Sequence, residues 1–171
     1  NFARLFDAGR RGIDAGRGDA PMPLVMLHYD NGADTEGVRY FYDRFDQYDI
    51  DYDVIGLSYY PWWHGTLLEL RDNLIATLEH HPAHDVMLVE VGYRPGVYEW
   101  EDRLPPYADD APGGSRTAFL ESVADIVLGI DSRRITGIFW WEPASACDRD
   151  FFDANCDARP VIEVFDRWTR E

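Results

Sequence analysis

Apolar positions along the chain follow two spacings that take turns. Phe2, Leu5, Phe6 and Ile13 keep the three-to-four-residue interval of one helix face, and Val38, Phe41, Tyr42 and Phe45 repeat it. Between these stripes, "LVMLHYD" (24–30) is a short apolar run of strand length. "YDVIGLSYY" (52–60), "VMLVEV" (86–91) and "ITGIFWW" (135–141) read as three more strands. Helical stripes separate them. One carries Leu70, Leu74 and Leu78 behind a T-x-x-E capping box at Thr66 and Glu69. Another carries Phe119, Val123, Ile126, Val127 and Ile130. Pro160 stands in the first turn of a last helix bearing Val161, Val164, Phe165 and Trp168.

The order α-βα-βα-βα-βα predicts an α/β fold with a parallel sheet and right-handed crossovers. Strands that are apolar on both faces agree with a sheet covered on both sides. Four βα units fit either an open doubly wound sheet or half of a (β/α)8 barrel. No glycine-rich phosphate loop follows a strand, which argues against a nucleotide-binding sheet. No linker, low-complexity tract or repeat interrupts residues 1–171, so the chain reads as one unit.

Charge narrows the function. The formal net charge is −16, and there is no Lys, so every basic side chain is Arg. Such a surface repels nucleic acid and anionic membranes. No apolar run approaches the ~20 residues of a membrane helix. The Lys-free acidity fits adaptation to high salt, and equally a GC-rich codon bias. Cys147 and Cys156 lie in one loop-like stretch, either as a local disulfide or as two thiols. No Cys/His cluster has zinc spacing and no cofactor motif is present. Asp109-Asp110 alone does not make a calcium site. The chain starts at Asn1 without Met and reads as a processed or truncated piece, so a missing signal segment says nothing of location.

The C-terminal ends of the strands gather the chemistry, and α/β folds bind ligands at that edge. They carry His28, Asp30 and Asn31; Ser58, Tyr59 and Tyr60; Glu90 and Tyr93; and Trp140, Trp141 and Glu142. A Trp face packs on the apolar face of a sugar ring, and carboxylates bind its hydroxyls. Carboxylates with aromatics point to glycoside chemistry. Singly, each residue has a plainer explanation. A strand Trp is ordinary core, and Asp30-Asn31-Gly32 is a turn signal. Glu90 stands out, because Val86, Leu88 and Glu90 alternate with Met87, Val89 and Val91 in an apolar strand. A carboxylate there needs either a function or a buried Arg partner.

"DYDVIGLSYYPWWHGTL" (51–67), "VMLVEVGY" (86–93) and "GIFWWEPA" (137–144) resemble the signature segments of glycoside hydrolase family 53, the arabinogalactan endo-β-1,4-galactanases. "MLHYDNGAD" (26–34) and "FFDANCDARPVIEVF" (151–165) are similar to its preceding strand and its ending. The resemblance implies a (β/α)8 TIM barrel with retaining chemistry, of which this chain supplies strands five to eight. It makes Glu90 the nucleophile. The general acid/base, a Glu after an Asn at the fourth strand's end, is expected upstream of Asn1 in the missing N-terminal half. Tyr60 is then the expected hydrogen-bond donor to Glu90, with Tyr59 on the opposite face. Trp141, rather than Trp140, would floor the sugar site. His28 and Asp30 would contact sugar hydroxyls or the acid/base, and Glu142, on the same rim, would also bind substrate. Trp62, Trp63 and His64 would line the groove from the next loop. The long segment 94–114, with Tyr98, Trp100 and Tyr107, has the length of a binding loop. The expected partner is galactan, cleaved outside the cell by a secreted enzyme. Another retaining β-glycosidase of the same clan and a non-catalytic carbohydrate-binding relative are the alternatives.

Overall fold

The structure is a computed structural model that describes residues 1–93, 115–130, 133–144 and 151–168. Its elements in chain order are α1 (Phe2–Gly16), β1 (Met26–Tyr29), α2 (Thr35–Asp46), β2 (Val54–Tyr59), α3 (Pro61–His64) and α4 (Leu67–His80). They continue with β3 (Asp85–Val91), α5 (Ser115–Gly129), β4 (Ile135–Trp140) and a C-terminal 3-10 helix, Pro160–Trp168. The segment 94–114, with Asp109-Asp110, and Cys147 fall outside the described residues.

The four strands are all parallel and lie in the order β1-β2-β3-β4. That order separates the two folds left open by the strand pattern. A doubly wound sheet reverses direction at a switch point. Consecutive strands laid side by side, each followed by a covering helix, are successive units of a (β/α)8 barrel.

The core lies between the sheet and its helices. Leu27, Ile55, Leu57, Tyr59, Val86, Leu88 and Val91 pack with Val38, Tyr42, Leu70, Leu74 and Phe119. Full burial of one such Leu stabilises by ~1.5–3 kcal/mol. Tyr42 of α2 reaches across this core, its hydroxyl within 2.7 Å of Leu27 O and 3.2 Å of Gly56 O, and ties the helix to both strands. Burial pushes its phenol above the ordinary range.

Helix starts follow the expected caps. The Thr66 side chain accepts from Glu69 N, and the Glu69 carboxylate accepts from Thr66 N, completing the capping box of α4. Asp34 caps α2 by accepting from Gly37 N at 2.9 Å. At the other end of α4, the Arg134 guanidinium donates to the Leu78, His81 and His84 carbonyls.

Four sequence expectations change. The strand expected over 24–30 is paired only over Met26–Tyr29. The α1 stripe is helical but buries only Ala3, while Phe2, Leu5 and Ile13 stay exposed and Phe6 packs edge-on to Phe45. Residues 61–64, expected as loop, form the short helix α3, opened by Pro61 at its first position. The last helix is 3-10, not α, and its buried Val161 and Val164 stand three apart, the repeat of a three-residue turn.

Strict alternation also fails in β3. Leu57 pairs with Leu88, but Ser58 pairs with Glu90, so one extra residue sits in β3. Core contacts accordingly skip from Leu88 to Val91. Such a bulge re-aims the side chains that follow it. Without it, Glu90 would share the face of Val86 and Leu88 against the helices.

Candidate active site

The face of the sheet away from the helices carries His28, Ser58 and Glu90, whereas Tyr59, Tyr93 and Trp140 join the core on the helix side. Gly56 leaves room on this face, for a Cβ there would stand 2.5 Å from Met26 Sδ and 3.3 Å from Val89 Cγ1. One step toward the C-terminal ends, His28 Nε2 lies 2.7 Å from Ser58 Oγ. Ser58 is next to Glu90 in the ladder. The bulge in β3 thus puts Glu90 beside Ser58, and His28, which pairs with Gly56, reaches that row through its side chain.

Above this row, Tyr60 donates its hydroxyl to Glu90 Oε2 at 3.0 Å. Tyr59 turns to the helix side, where its hydroxyl donates to Gly65 O and its ring stacks on Phe119. Aromatic neighbours hold the Tyr60 ring, with Trp62, Trp63 and His64 at centroid distances of 5.3, 5.5 and 5.6 Å. Trp62 is 6% exposed and packs tilted against the Tyr60 ring, whereas Trp63 is 56% exposed. Gly92 runs beneath the same ring, and a Cβ there would stand 2.8 Å from Tyr60 Cε1.

His64 closes the α3 turn onto the end of β2. Its Nδ1 lies 3.1 Å from Tyr60 N and 3.2 Å from Ser58 O. With Nδ1 bare it accepts from Tyr60, and with Nδ1 protonated it donates to Ser58. Burial holds the imidazole below its ordinary pKa, against the pull of the Ser58 carbonyl and the Asp30 and Glu90 carboxylates. At neutral pH it is therefore uncharged.

Trp141 follows β4 and donates its backbone N–H to Val91 O at 2.8 Å, which sets it beside the end of β3. It is 50% exposed. Trp140 is buried on the other face between Phe119 and Phe151. Glu142 is exposed and has φ of 50°, a left-handed backbone that few non-glycine residues adopt. Asp30 is exposed beyond the end of β1. The turn after it is fixed from two sides, since Gly32 N donates to Ser58 O and Asn73 Nδ2 donates to Gly32 O, each at 2.8 Å.

Three residues of this arrangement were not singled out as site residues from the sequence. Ser58 is a polar residue at a strand end, a visible signal. Asn73 interrupts the apolar stripe of α4 and is fully buried, which is also a signal. Gly92 gives none, because only the path of the Tyr60 ring explains it.

A carboxylate held by a phenol, beside a His–Ser pair and with the half-exposed Trp141 tethered to the end of its strand, suits attack on a sugar ring. A model of glycosyl hydrolase family 53 matches residues 1–166. An uncharacterised protein in the bgaB 5′ region of Niallia circulans is 39% identical over 130 residues, 70% of this chain and 35% of that protein. The arabinogalactan endo-beta-1,4-galactanase A of Aspergillus niger is 30% identical over 172 residues, 96% of this chain and 48% of that enzyme. The chain therefore spans half or less of the length of these curated relatives. Among solved structures, the GH53 catalytic domain of Ignisphaera aggregans superposes with a TM-score of 0.76 at 19% identity, over 96% of this chain and 52% of that one. A thermostable mutant of the Cellvibrio japonicus xylanase Xyn10A superposes with a TM-score of 0.64 at 14% identity, over 95% and 55%.

Proposed function

Because this chain belongs to glycosyl hydrolase family 53, we propose that it is the C-terminal half, residues 1–171, of a retaining (β/α)8 endo-β-1,4-galactanase. Its strands β1 to β4 are then the fifth to eighth of the barrel. The galactanase A of Aspergillus niger, similar over 96% of this chain, supports galactan as the substrate.

Glu90 is the nucleophile of this reading. Its carboxylate attacks the anomeric carbon and displaces the leaving sugar to give a glycosyl-enzyme ester. A second carboxyl, from a strand-end Asn-Glu segment in the N-terminal half, protonates the leaving oxygen. It then takes a proton from the water that hydrolyses the ester. The two carboxyls of a retaining pair stand ~5–5.5 Å apart. The contact that carries the reading is Tyr60 Oη to Glu90 Oε2 at 3.0 Å. It fixes one carboxylate oxygen and leaves the other to attack.

The remaining rim residues bind sugar. Trp141 floors the cleavage site, and Trp63 extends the apolar floor along the groove. His28, Asp30 and Glu142 bind hydroxyls, with His28 oriented by Ser58. Trp62 and His64 keep the Tyr60 ring in place. A polymer of galactose in pectin side chains is met outside the cell, so the enzyme works as a secreted protein. None of these steps calls for a cofactor.

Release of reducing ends by the full-length protein tests the substrate. Galactan should be cleaved at least tenfold faster than arabinan, mannan or xylan. Faster cleavage of mannan or xylan would assign a different retaining β-glycosidase. Binding of galactan without cleavage of any polymer would assign a carbohydrate-binding relative.

A further inference from the structure

On the helical side of the sheet, opposite Glu90, the described residues gather one group of metal-ligating side chains. It comprises Asp43 of α2, His80 at the last position of α4, and His81 just after it. We propose that Asp43, His80 and His81 bind a divalent transition-metal cation of the zinc class and so clamp α2 to α4.

Their donor atoms all lie within 4.8 Å of one another. His80 Nε2 is 2.8 Å from Asp43 Oδ1, which by itself is a charge-assisted hydrogen bond. That bond leaves His81 unexplained. His81 is 6% exposed, and its Nε2 is buried with no hydrogen-bond partner among the described residues. Its Nδ1 stands 3.8 Å from Asp46 Oδ2, beyond hydrogen-bond distance. An imidazole so enclosed is short of a partner, and a metal ion supplies one.

The backbone makes the pairing of consecutive histidines feasible. Helix α4 ends at His80, and His81 adopts φ −116°, ψ 68° outside the helix. The two rings stand at 88° with centroids 4.7 Å apart, not splayed around a continuing helix. Zinc–ligand bonds of ~2.0–2.2 Å in a tetrahedron place donors ~3.4 Å apart. No pair therefore needs to close by more than about 1.4 Å, and the partly exposed Asp43 and His80 side chains are free to rotate that far.

A pocket of about 300 Å³ between α2 and α4 is lined by both imidazoles, Arg39 and Glu79 and reaches the group from the side away from Asp43, which does not line it. Asp46 and Glu79 add negative charge. Arg39, 3.6 Å from Asp43 Oδ2, and Arg134, on the His81 carbonyl, oppose it. Two imidazoles and a carboxylate favour zinc, copper, nickel or cobalt over calcium and magnesium.

The test uses full-length protein stripped with chelator and titrated with Co²⁺, then Zn²⁺. Expected are visible cobalt bands at one equivalent, their displacement by Zn²⁺, and a rise of several degrees in Tm. Asp43→Asn and His80→Asn should each weaken cobalt binding at least tenfold and abolish the Tm rise, with galactan turnover unchanged. Absence of stoichiometric cobalt binding would overturn the proposal. So would binding of undiminished affinity in both variants.

Discussion

Gly92 passes so close beneath Tyr60 that a Cβ would stand 2.8 Å from Cε1 of its ring. The same ring carries the hydroxyl that holds Glu90. Gly92→Ala should therefore lift the ring and lengthen the Tyr60–Glu90 contact. In the full-length enzyme kcat should fall by ~10²-fold, the scale of a misplacement near one ångström. Tyr60→Phe should lose a comparable amount by removing the donor alone. A double variant no worse than either single one would show that both act through one contact. Unchanged kcat in Gly92→Ala would separate the ring's position from catalysis.

Glu90→Ala should lower turnover of galactan to background. A small nucleophile such as azide should then restore product of inverted configuration, because it enters the space the carboxylate leaves on the same face of the sugar. The configuration of the rescued product is read by NMR. Activity within tenfold of the unmutated enzyme would remove Glu90 from the mechanism.

The path to Glu90 shows where the sequence is sufficient and where it is not. Its strand was legible, as were α2 and the α4 capping box, because spacing and local chemistry fix them. The face on which Glu90 lies was not. Alternation from Val86 and Leu88 sends it into the core, and the extra residue in β3 sends it to the other side. A bulge depends on what β2 and β4 offer as partners, so no window of β3 alone contains it. Asp43 and His80 illustrate the same limit. They stand 37 residues apart in the chain, and only the packing of α2 on α4 brings them to 2.8 Å.

Stability should fall as pH drops below about 6.5. His64 and His81 both sit below their ordinary pKa, chiefly through burial. Above ~6.5 they are neutral folded or unfolded and contribute nothing to the pH dependence. Below that value the unfolded chain takes up protons that the folded chain refuses, so the folded state loses ground until the depressed folded pKa values are reached. Asp43, lowered first by its hydrogen bond to His80, adds a loss of the same sign only near and below ~4. The check is Tm between pH 8 and 5 without added metal. His64→Gln and His81→Gln should each flatten the slope, and a Tm that rises on acidification would contradict it.

Cys156 is disulfide-bonded, and Cys147, the chain's other cysteine, lies outside the described residues. A 147–156 bridge closes a short loop and should stabilise by roughly 2–3 kcal/mol. Reduction should lower Tm by several degrees, and no thiol should alkylate in denaturant until reductant is added. Alkylation of two thiols without reductant would show that the bridge does not form.

The inner face of the sheet is the last clue to what surrounds it. Phe139 is 59% exposed and Trp141 50%, on the side where His28 and Glu90 also lie. An aromatic and charged face of this kind, between strands β1 and β4 that are the sheet edges among the described residues, favours association. Under the half-barrel proposal, the other four strands would cover it and bring the acid/base carboxyl opposite Glu90. The 171-residue chain expressed by itself should therefore self-associate, seen as a shift to larger species on gel filtration. It should release no reducing ends from galactan, because loss of a general acid costs ~10²–10⁴ in rate before the lost sugar contacts are counted. Co-expression with the N-terminal half should restore a monomeric complex and its turnover. A monomeric, active 171-residue chain would mean that Glu90 finds its proton donor within these residues, and the half-barrel reading would fall.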